Sequence, residues 1–327
     1  MGAETMKNDK THFRGCITGG AVADAKAYAT RENGVDLISD NTQMTSFTVD
    51  GLVWAAGRAQ SRGVYAYIPC LFYSYQKWYY TQTGSLADKT YSFILSGEIL
   101  RWDELFARRG EGLTSLKALE GSINNTYGSL QNRINNSKGC GAVMRSAPIG
   151  MYFCSDEMMA FKIACEAAAL THGHIDAILP AGYLAFLISL ILQGREVADA
   201  AKDGIAALSK CNSAENCSAS LAKAVRLAES SMSPRDAMKE LGDGFAGEEV
   251  IALAVYNVLK CGLDFEGAVT RAAEFEGNKC SLASISGNIL GAYHGCAGVP
   301  YEWAKDLEAM GLMIIGADKL LEAVASI

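Results

Sequence analysis

Apolar residues recur along most of this chain at the three- and four-residue spacing that is typical of amphipathic α-helices. One such stripe lies on a predicted helix that begins near Thr42 and consists of Met44, Phe47, Leu52 and Val53. Broad apolar faces predict two further helices, over residues 248–260 and 282–293. The pattern favours a helical protein with a large buried core.

The longest mostly apolar run covers residues 177–192 and contains Pro180 and Gly182. This run is shorter than the roughly 20 residues that a helix needs to cross a bilayer. Its part from Tyr183 to Leu192 is apolar nearly all round, as expected for a helix at the centre of a large helical protein. We therefore predict a buried core helix here and no membrane partner.

The pattern contains no convincing pair of β-strands, no tandem repeat and no linker that divides the chain. Half of the residues are apolar and only 5 are proline, which favours an all-α architecture. Clusters of Gly, Asn and Ser predict loops over residues 121–141 and 230–247. The prediction is a single all-α domain over residues 15–327, preceded by a flexible tail over residues 1–14.

Net charge limits the classes of partner. The formal charge of −7 leaves no excess of Lys and Arg to neutralise phosphates, which argues against nucleic acid as a partner. The polar segment 1–12 has no apolar core of a secretory signal, and the expected location is the cytoplasm. Ten scattered cysteines without a C-x-x-C pair are interpreted as reduced thiols that fill small gaps in the core. The sequence does not determine the oligomeric state.

Two polar clusters stand immediately before predicted helices. Ser39, Asp40 and Asn41 precede the helix near Thr42, and residues 278–281 precede the helix from 282. Ser, Asp and Asn are ordinary helix N-caps. A helix N-terminus also gathers polar side chains and free N–H groups at ligand sites. Each cluster taken alone is compatible with either role.

Two further segments carry candidate ligand-binding residues. Residues 136–150 form a glycine-bearing loop, and glycine lets a backbone approach a phosphate or a sugar closely, although a lone Gly-x-Gly also marks an ordinary turn. His172 and His174 form a His-x-His pair. Such a pair can bind a metal or can supply one helix cap and one core histidine.

Five segments, in this order, resemble the motifs of the ADP-ribosylglycohydrolase family over nearly the whole chain. They are residues 15–25 (the family's glycine-rich first helix), 39–45 (its Thr-Asp-Asp-Thr-Gln-Met-Thr segment), 139–150 (its Gly-x-Gly-x-x-Met-Arg-x-Ala-Pro-Ile-Gly loop), 170–174 (its Leu-Thr-His-x-His segment) and 277–291 (its Gly-Asp-x-Asp-Ser/Thr segment and the following helix). The resemblance implies a large orthogonal helical domain with a binuclear magnesium site. It also implies hydrolysis of the bond between ADP-ribose and a protein side chain, most often arginine.

The resemblance assigns roles to residues by position. The implied metal ligands are Ser39, Asp40, Asn41, Asn278, Cys280 and Ser281. The implied catalytic residues are Asp40, Asn41 and Asn278. The implied ligand-binding residues are Asp24, Gly139, Cys140, Gly141, Met144, His172 and His174. The implied cofactor is magnesium, of which the altered metal motifs lead us to expect one ion or none, and the implied partner is ADP-ribose or an ADP-ribosylated protein.

The metal motifs depart from the family's pattern. Only Asp40 remains of the four carboxylates in the fullest form of that pattern. Asn41 and Asn278 keep an oxygen without its charge, and Cys280 offers a soft sulfur that magnesium does not favour. Two divalent cations beside one carboxylate would leave several positive charges uncompensated. We therefore expect dinuclear occupancy to be weak.

Three hypotheses about function follow. The first is a hydrolase of the ADP-ribosyl bond that works with one metal ion or an altered site. The second is a catalytically silent relative that binds ADP-ribose or an ADP-ribosylated protein, or blocks a transferase by contact. The third is a zinc site formed by Cys280 with His172 or His174, since zinc accepts sulfur and nitrogen ligands.

Overall fold

A computed structural model describes residues 6–325, and α-helices dominate it. In chain order the helices are α1 (Lys10–Tyr28), α2 (Asp40–Arg62), α3 (Tyr67–Thr83), α4 (Leu113–Glu120), α5 (Ala147–Tyr152), α6 (Glu157–Ala169), α7 (Ile175–Leu192), α8 (Val197–Leu208), α9 (Glu215–Glu229), α10 (Pro234–Leu241), α11 (Gly247–Lys260), α12 (Phe265–Ala273), α13 (Lys279–His294), α14 (Tyr301–Ala304) and α15 (Met310–Val324). Short 3-10 turns cover Lys89–Ser96, Glu98–Arg101, Asp103–Phe106, Cys140–Ala142 and Cys296–Gly298. The all-α prediction is confirmed.

Helices α1 and α13 pack against each other with their backbones in direct contact. A Cβ atom on Gly291 would lie 1.9 Å from the carbonyl oxygen of Gly15, and one on Gly287 would lie 2.3 Å from that of Gly19. Only glycine fits such an approach. The glycines therefore bring the two ends of the chain together and place the N-terminus of α13 beside α1 and α2.

Helix α7 passes through the centre of the molecule. Its 18 residues have a mean hydropathy of 2.1, so this helix is long and apolar enough to cross a membrane by length and composition alone. In the fold, 89% of it is buried against neighbouring helices. The prediction of a buried core helix is confirmed.

A small hairpin was missed. Strands β1 (Arg31–Glu32) and β2 (Val35–Asp36) pair antiparallel. Asn33 and Gly34 form the turn between them, with φ of 50° and 84°. Asn-Gly is a strong signal for a two-residue hairpin turn, but the strands are too short to show an alternating pattern.

Two predicted boundaries differ from the structure. Helix α10 occupies Pro234–Leu241 inside the segment predicted to be a loop, and Ser233 caps it through a hydrogen bond from the Asp236 N–H. Ser followed by Pro is a usual helix start. At the N-terminus, α1 begins at Lys10 with Asp9 as its cap, so residues 10–14 belong to the first helix. Residues 1–5 of the predicted tail lie outside the described residues.

Candidate functional site

The N-termini of α2 and α13 meet in one polar cluster. Ser281 Oγ donates a 2.9 Å hydrogen bond to Asn41 Oδ1, although the two residues are 240 positions apart. Ser39 caps α2 by accepting from the Asn41 N–H, and Asn278 caps α13 by accepting from the Ser281 N–H. The capping interpretation is correct for both clusters. The two caps also lie together, as a shared site requires.

Asp24 lies beneath this cluster and is fully buried. The hydroxyl of Ser39 donates to its Oδ1 at 2.6 Å. The N–H of Ser39 and both donors of Thr42 reach its Oδ2. Burial raises the pKa of Asp24, and these four hydrogen bonds act in the opposite direction. Because both oxygens are occupied and enclosed, Asp24 positions the start of α2, and its ligand-binding role stays a prediction.

The remaining polar side chains of the cluster bind one another. Asn41 Nδ2 donates to Ser39 Oγ at 2.9 Å. Asn278 Nδ2 donates to Cys140 Sγ at 2.9 Å. The cluster is therefore a closed network of neutral groups that joins Asp24 to the glycine-bearing loop.

Asp40 is the one carboxylate of this network that no other side chain in residues 6–325 occupies with a hydrogen bond. Burial raises its pKa to about 6, the negative charge of Asp24 adds to the rise, and backbone N–H groups at 40 and 41 oppose it. The backbone of Gly110 approaches this carboxylate so closely that a Cβ there would lie 2.3 Å from Oδ1. Asp40 thus lies against the Gly110 backbone and has no side-chain hydrogen-bond donor among the described residues.

The predicted loop forms the third side of the site. The Cys140 N–H donates to the Phe245 carbonyl at 2.9 Å, and the Gly247 N–H donates to the Lys138 carbonyl at 2.8 Å. These bonds tie the loop to the start of α11. Met144 Sδ lies 3.9 Å from Ser281 Oγ, which places the end of the loop against α13.

His172 packs directly under the loop. A Cβ on Gly141 would lie 3.2 Å from His172 Nε2, and one on Gly139 would lie 3.6 Å from the same atom. Burial, with a smaller contribution from the charge of Arg145, lowers the pKa of His172 to about 3, so its imidazole is neutral. Glycine at both loop positions lets the loop backbone pack closely over this imidazole.

A buried pair orients this imidazole. Arg145 donates a 2.6 Å hydrogen bond to Thr171 Oγ1, which shares a 2.8 Å hydrogen bond with His172 Nδ1. Because Arg145 can only donate, the hydroxyl proton of Thr171 is available for Nδ1. This arrangement favours the tautomer in which Nε2 carries the proton and points to the loop as a donor.

His174 has a different role. It caps α7, and its Nδ1 accepts from the Asp176 N–H at 3.1 Å. The His-x-His pair therefore supplies one helix cap and one buried histidine, as the alternative interpretation stated. The ligand-binding prediction for His174 finds no support in this geometry.

The residues do not fit a pair of magnesium ions. Within residues 6–325, no group of three or more His, Cys, Asp or Glu side chains could hold a metal ion, which also argues against the zinc hypothesis. Burial raises the pKa of Cys140 to about 11 and that of Cys280 to about 12, so both are neutral thiols. The oxygen atoms of Ser39 and Asn41 are already hydrogen-bonded. Only Asp40 offers a free charged oxygen.

Sequence reasoning missed three residues that shape the site: Arg145, Thr171 and Gly110. Arg145 is 1% exposed, and its guanidinium lies 4.1 Å from the Tyr75 ring centre. A lone arginine between Met144 and a run of apolar residues was a signal for such a buried role. Gly110 and Gly112 flank one glutamate, and this spacing hinted at close backbone approach.

These features define an all-α protein in which two helix N-termini and a glycine-bearing loop surround a polar cluster beside a neutral histidine, and we call this region the cleft. The chain belongs to the ADP-ribosylglycohydrolase family, whose model matches residues 5–326. That family acts on ADP-ribosylated substrates and commonly uses divalent metals. Membership supports a glycohydrolase-like function.

Two comparisons add detail. A protein of Archaeoglobus fulgidus that is described as uncharacterized is 30% identical over 190 residues, which are 57% of this chain and 59% of that protein. A solved structure described as an ADP-ribosylglycohydrolase-related protein complex has a TM-score of 0.62 at 16% identity and covers 97% of this chain and 99% of that chain. At this identity the structural likeness shows the fold alone.

Proposed function

We propose that the cleft binds ADP-ribose, either free or attached to a protein side chain. The observation that carries this proposal is the neutral His172 packed against Gly139 and Gly141, which places an imidazole donor beside the backbone of the glycine-bearing loop. A diphosphate and two riboses need hydrogen-bond donors rather than fixed negative charge. The N-termini of α2 and α13 add the positive ends of two helix dipoles.

The proposal includes a limited capacity for hydrolysis, favoured by Asp40. Its carboxylate is the free charged group of the cleft and can orient a water molecule toward an anomeric carbon. The bond that we expect to be cleaved joins ADP-ribose to arginine, as the family resemblance implies. Since the donor set does not fit paired magnesium ions, any hydrolysis depends on Asp40 with one metal ion or none.

The binding function is tested with His172→Phe, which keeps the ring and removes its hydrogen bonds. We expect ADP-ribose affinity to fall about tenfold, the loss that corresponds to one hydrogen bond of about 1.4 kcal/mol. His294→Phe is the control, because His294 lies at the surface, where its Nε2 shares a hydrogen bond with the Leu263 carbonyl. Equal affinities of the two variants in calorimetry would reject the proposed site.

Hydrolysis is tested by ADP-ribose release from ADP-ribosyl-arginine. Release by the natural chain that disappears in Asp40→Ala would support the enzyme. Release only by the double variant Asn278→Asp with Cys280→Asp would show that the natural chain binds without cleaving. The proposal of binding and the proposal of hydrolysis can therefore be rejected separately.

A further inference from the structure

A cavity lies away from the cleft, between the middle of α2, the 3-10 turns after α3, and α15. Its volume is about 370 Å³. Asp50 on α2 lines it, ten residues after Asp40, which is about 15 Å along the helix at 1.5 Å per residue. The cavity is therefore separate from the site of the proposed function.

Aromatic side chains form the walls of this cavity. Trp54, Phe93 and Trp102 line it. The Trp54 and Phe93 ring centres are 6.4 Å apart with the planes at 62°, an edge-to-face arrangement. Phe93 is 50% exposed and Ile315 on the opposite rim is 47% exposed. Exposed apolar side chains at the edge of a cavity are typical of a binding site.

The floor of the cavity carries a buried ion pair. Lys77, which is 4% exposed, donates to Asp50 Oδ2 at 2.7 Å, and Ser74 Oγ donates to the same oxygen at 2.6 Å. The Lys77 ammonium also lies 4.8 Å from the Trp54 ring centre. Among the residues at 6–325, none other accepts from Lys77 Nζ and none donates to Asp50 Oδ1. The floor thus presents one donor and one acceptor side by side.

We propose that this cavity binds a small aromatic molecule that carries a neutral amide group. The amide carbonyl would accept from Lys77, and its N–H would donate to Asp50 Oδ1. The Lys77–Asp50 pair already balances its own charge, so a neutral head group adds no unpaired charge to a buried site. The aromatic body would pack between Trp54 and Trp102.

Three probes of matched size test the head group: benzamide, benzoate and benzylamine. Each is titrated into the full chain and followed by calorimetry and by tryptophan fluorescence. We expect saturable 1:1 binding of benzamide, with at least tenfold weaker binding of the charged probes. No benzamide binding at millimolar concentration, or equal binding of all three, would overturn the proposal.

Gly316→Leu tests the location. Gly316 lines the cavity, and a Cβ there would lie 3.4 Å from Val49, an ordinary contact, so the longer side chain would project into the cavity. Gly57→Leu is the matched control, because a side chain there meets open space. Benzamide affinity should fall at least tenfold in the first variant and stay within twofold in the second. Equal effects would place the probe elsewhere.

Asp50→Asn distinguishes recognition of the amide group by Lys77 and Asp50 from packing of the aromatic ring alone. The substitution leaves the Lys77 charge without its partner, so benzoate should then bind more tightly than benzamide. An unchanged order of affinities would contradict the assigned roles of Lys77 and Asp50. ADP-ribose binding should be unaffected by Gly316→Leu, and hence this inference can fail while the proposed function stands.

Discussion

At the scale of single residues, Asp24 organises the site by fixing the start of α2. Its carboxylate accepts four hydrogen bonds from Ser39 and Thr42, and Ser39 in turn holds Asn41. The orientation of the α2 N-terminus therefore depends on one buried acid. Substitution of this carboxylate should lower the stability of the fold, because each donor that loses its acceptor stays buried.

Asp24→Asn should lower the free energy of unfolding by about 2–4 kcal/mol. The NH₂ of the new amide group would face the N–H and hydroxyl donors of Ser39 and Thr42 in place of an acceptor. Asp318→Asn is the control, since Asp318 pairs with Arg14 at a partly exposed position and should cost about 1 kcal/mol or less. Urea unfolding of both variants measures the difference. Equal losses would contradict the organising role of Asp24.

Asp40 predicts an unusual dependence of stability on pH. Its pKa in the folded chain is about 6, above the ordinary value of 3.8, so between these pH values the folded state binds more protons than the unfolded state. Its contribution to stability is therefore complete below pH 4 and falls as the pH rises to 6. Asp40→Asn should stabilise the protein by on the order of 1–2 kcal/mol at pH 7.5 and by little at pH 4.

Chemical denaturation at the two pH values measures this effect. A variant that is less stable than the natural chain at pH 7.5 would show that Asp40 has a stabilising partner, such as a bound cation. That result would also revive a metal-dependent interpretation of the cleft.

The sequence predicted which residues of the site are polar but not what each one does. Capping was one of two interpretations of the clusters at 39–41 and 278–281, because capping is local, and the structure identifies Ser39 and Asn278 as the caps. The bond between Asn41 and Ser281 joins residues 240 positions apart, and no local pattern reveals it. The buried pair of Arg145 and Thr171 depends on tertiary packing in the same way.

At the scale of elements, the contact of α1 with α13 brings the two polar caps together. Gly291→Ala should destabilise the fold by about 3 kcal/mol or more, because the added methyl group would overlap the Gly15 backbone. Gly57→Ala is the matched control in α2. It should stabilise by about 0.5–1 kcal/mol, since alanine favours a helix and meets open space there.

Thermal unfolding of the two variants provides the measurement. Similar melting temperatures would mean that α1 and α13 can move apart without loss of stability. The cleft would then lack a fixed geometry.

The helices themselves were largely predictable. Periodic apolar residues identified α2, α11 and α13, and continuous hydrophobicity identified α7, because these helices bury wide faces. Helix α10 was missed since its eight residues span only two turns among many polar positions. Short elements are defined by caps and turns more than by periodicity.

At the scale of the whole molecule, the fold joins the N-termini of α2 and α13 through neutral hydrogen-bonding side chains where the family resemblance implies metal ligands. Removal of divalent metals with EDTA should therefore leave the melting temperature of the natural chain unchanged. The triple variant Asn41→Asp, Asn278→Asp and Cys280→Asp should instead gain stability on addition of Mg²⁺, by about 2.7 kcal/mol at a hundredfold excess over Kd. Stabilisation of the natural chain by Mg²⁺ to the same extent would contradict this account.

The most direct test is calorimetric titration of ADP-ribose into the natural chain, once in EDTA and once in Mg²⁺. We expect saturable 1:1 binding with affinities that agree within about twofold, since a difference of about 0.4 kcal/mol corresponds to that ratio. Binding that appears only with Mg²⁺, or no binding in either buffer, would contradict a nucleotide-sugar cleft that works without paired metal ions.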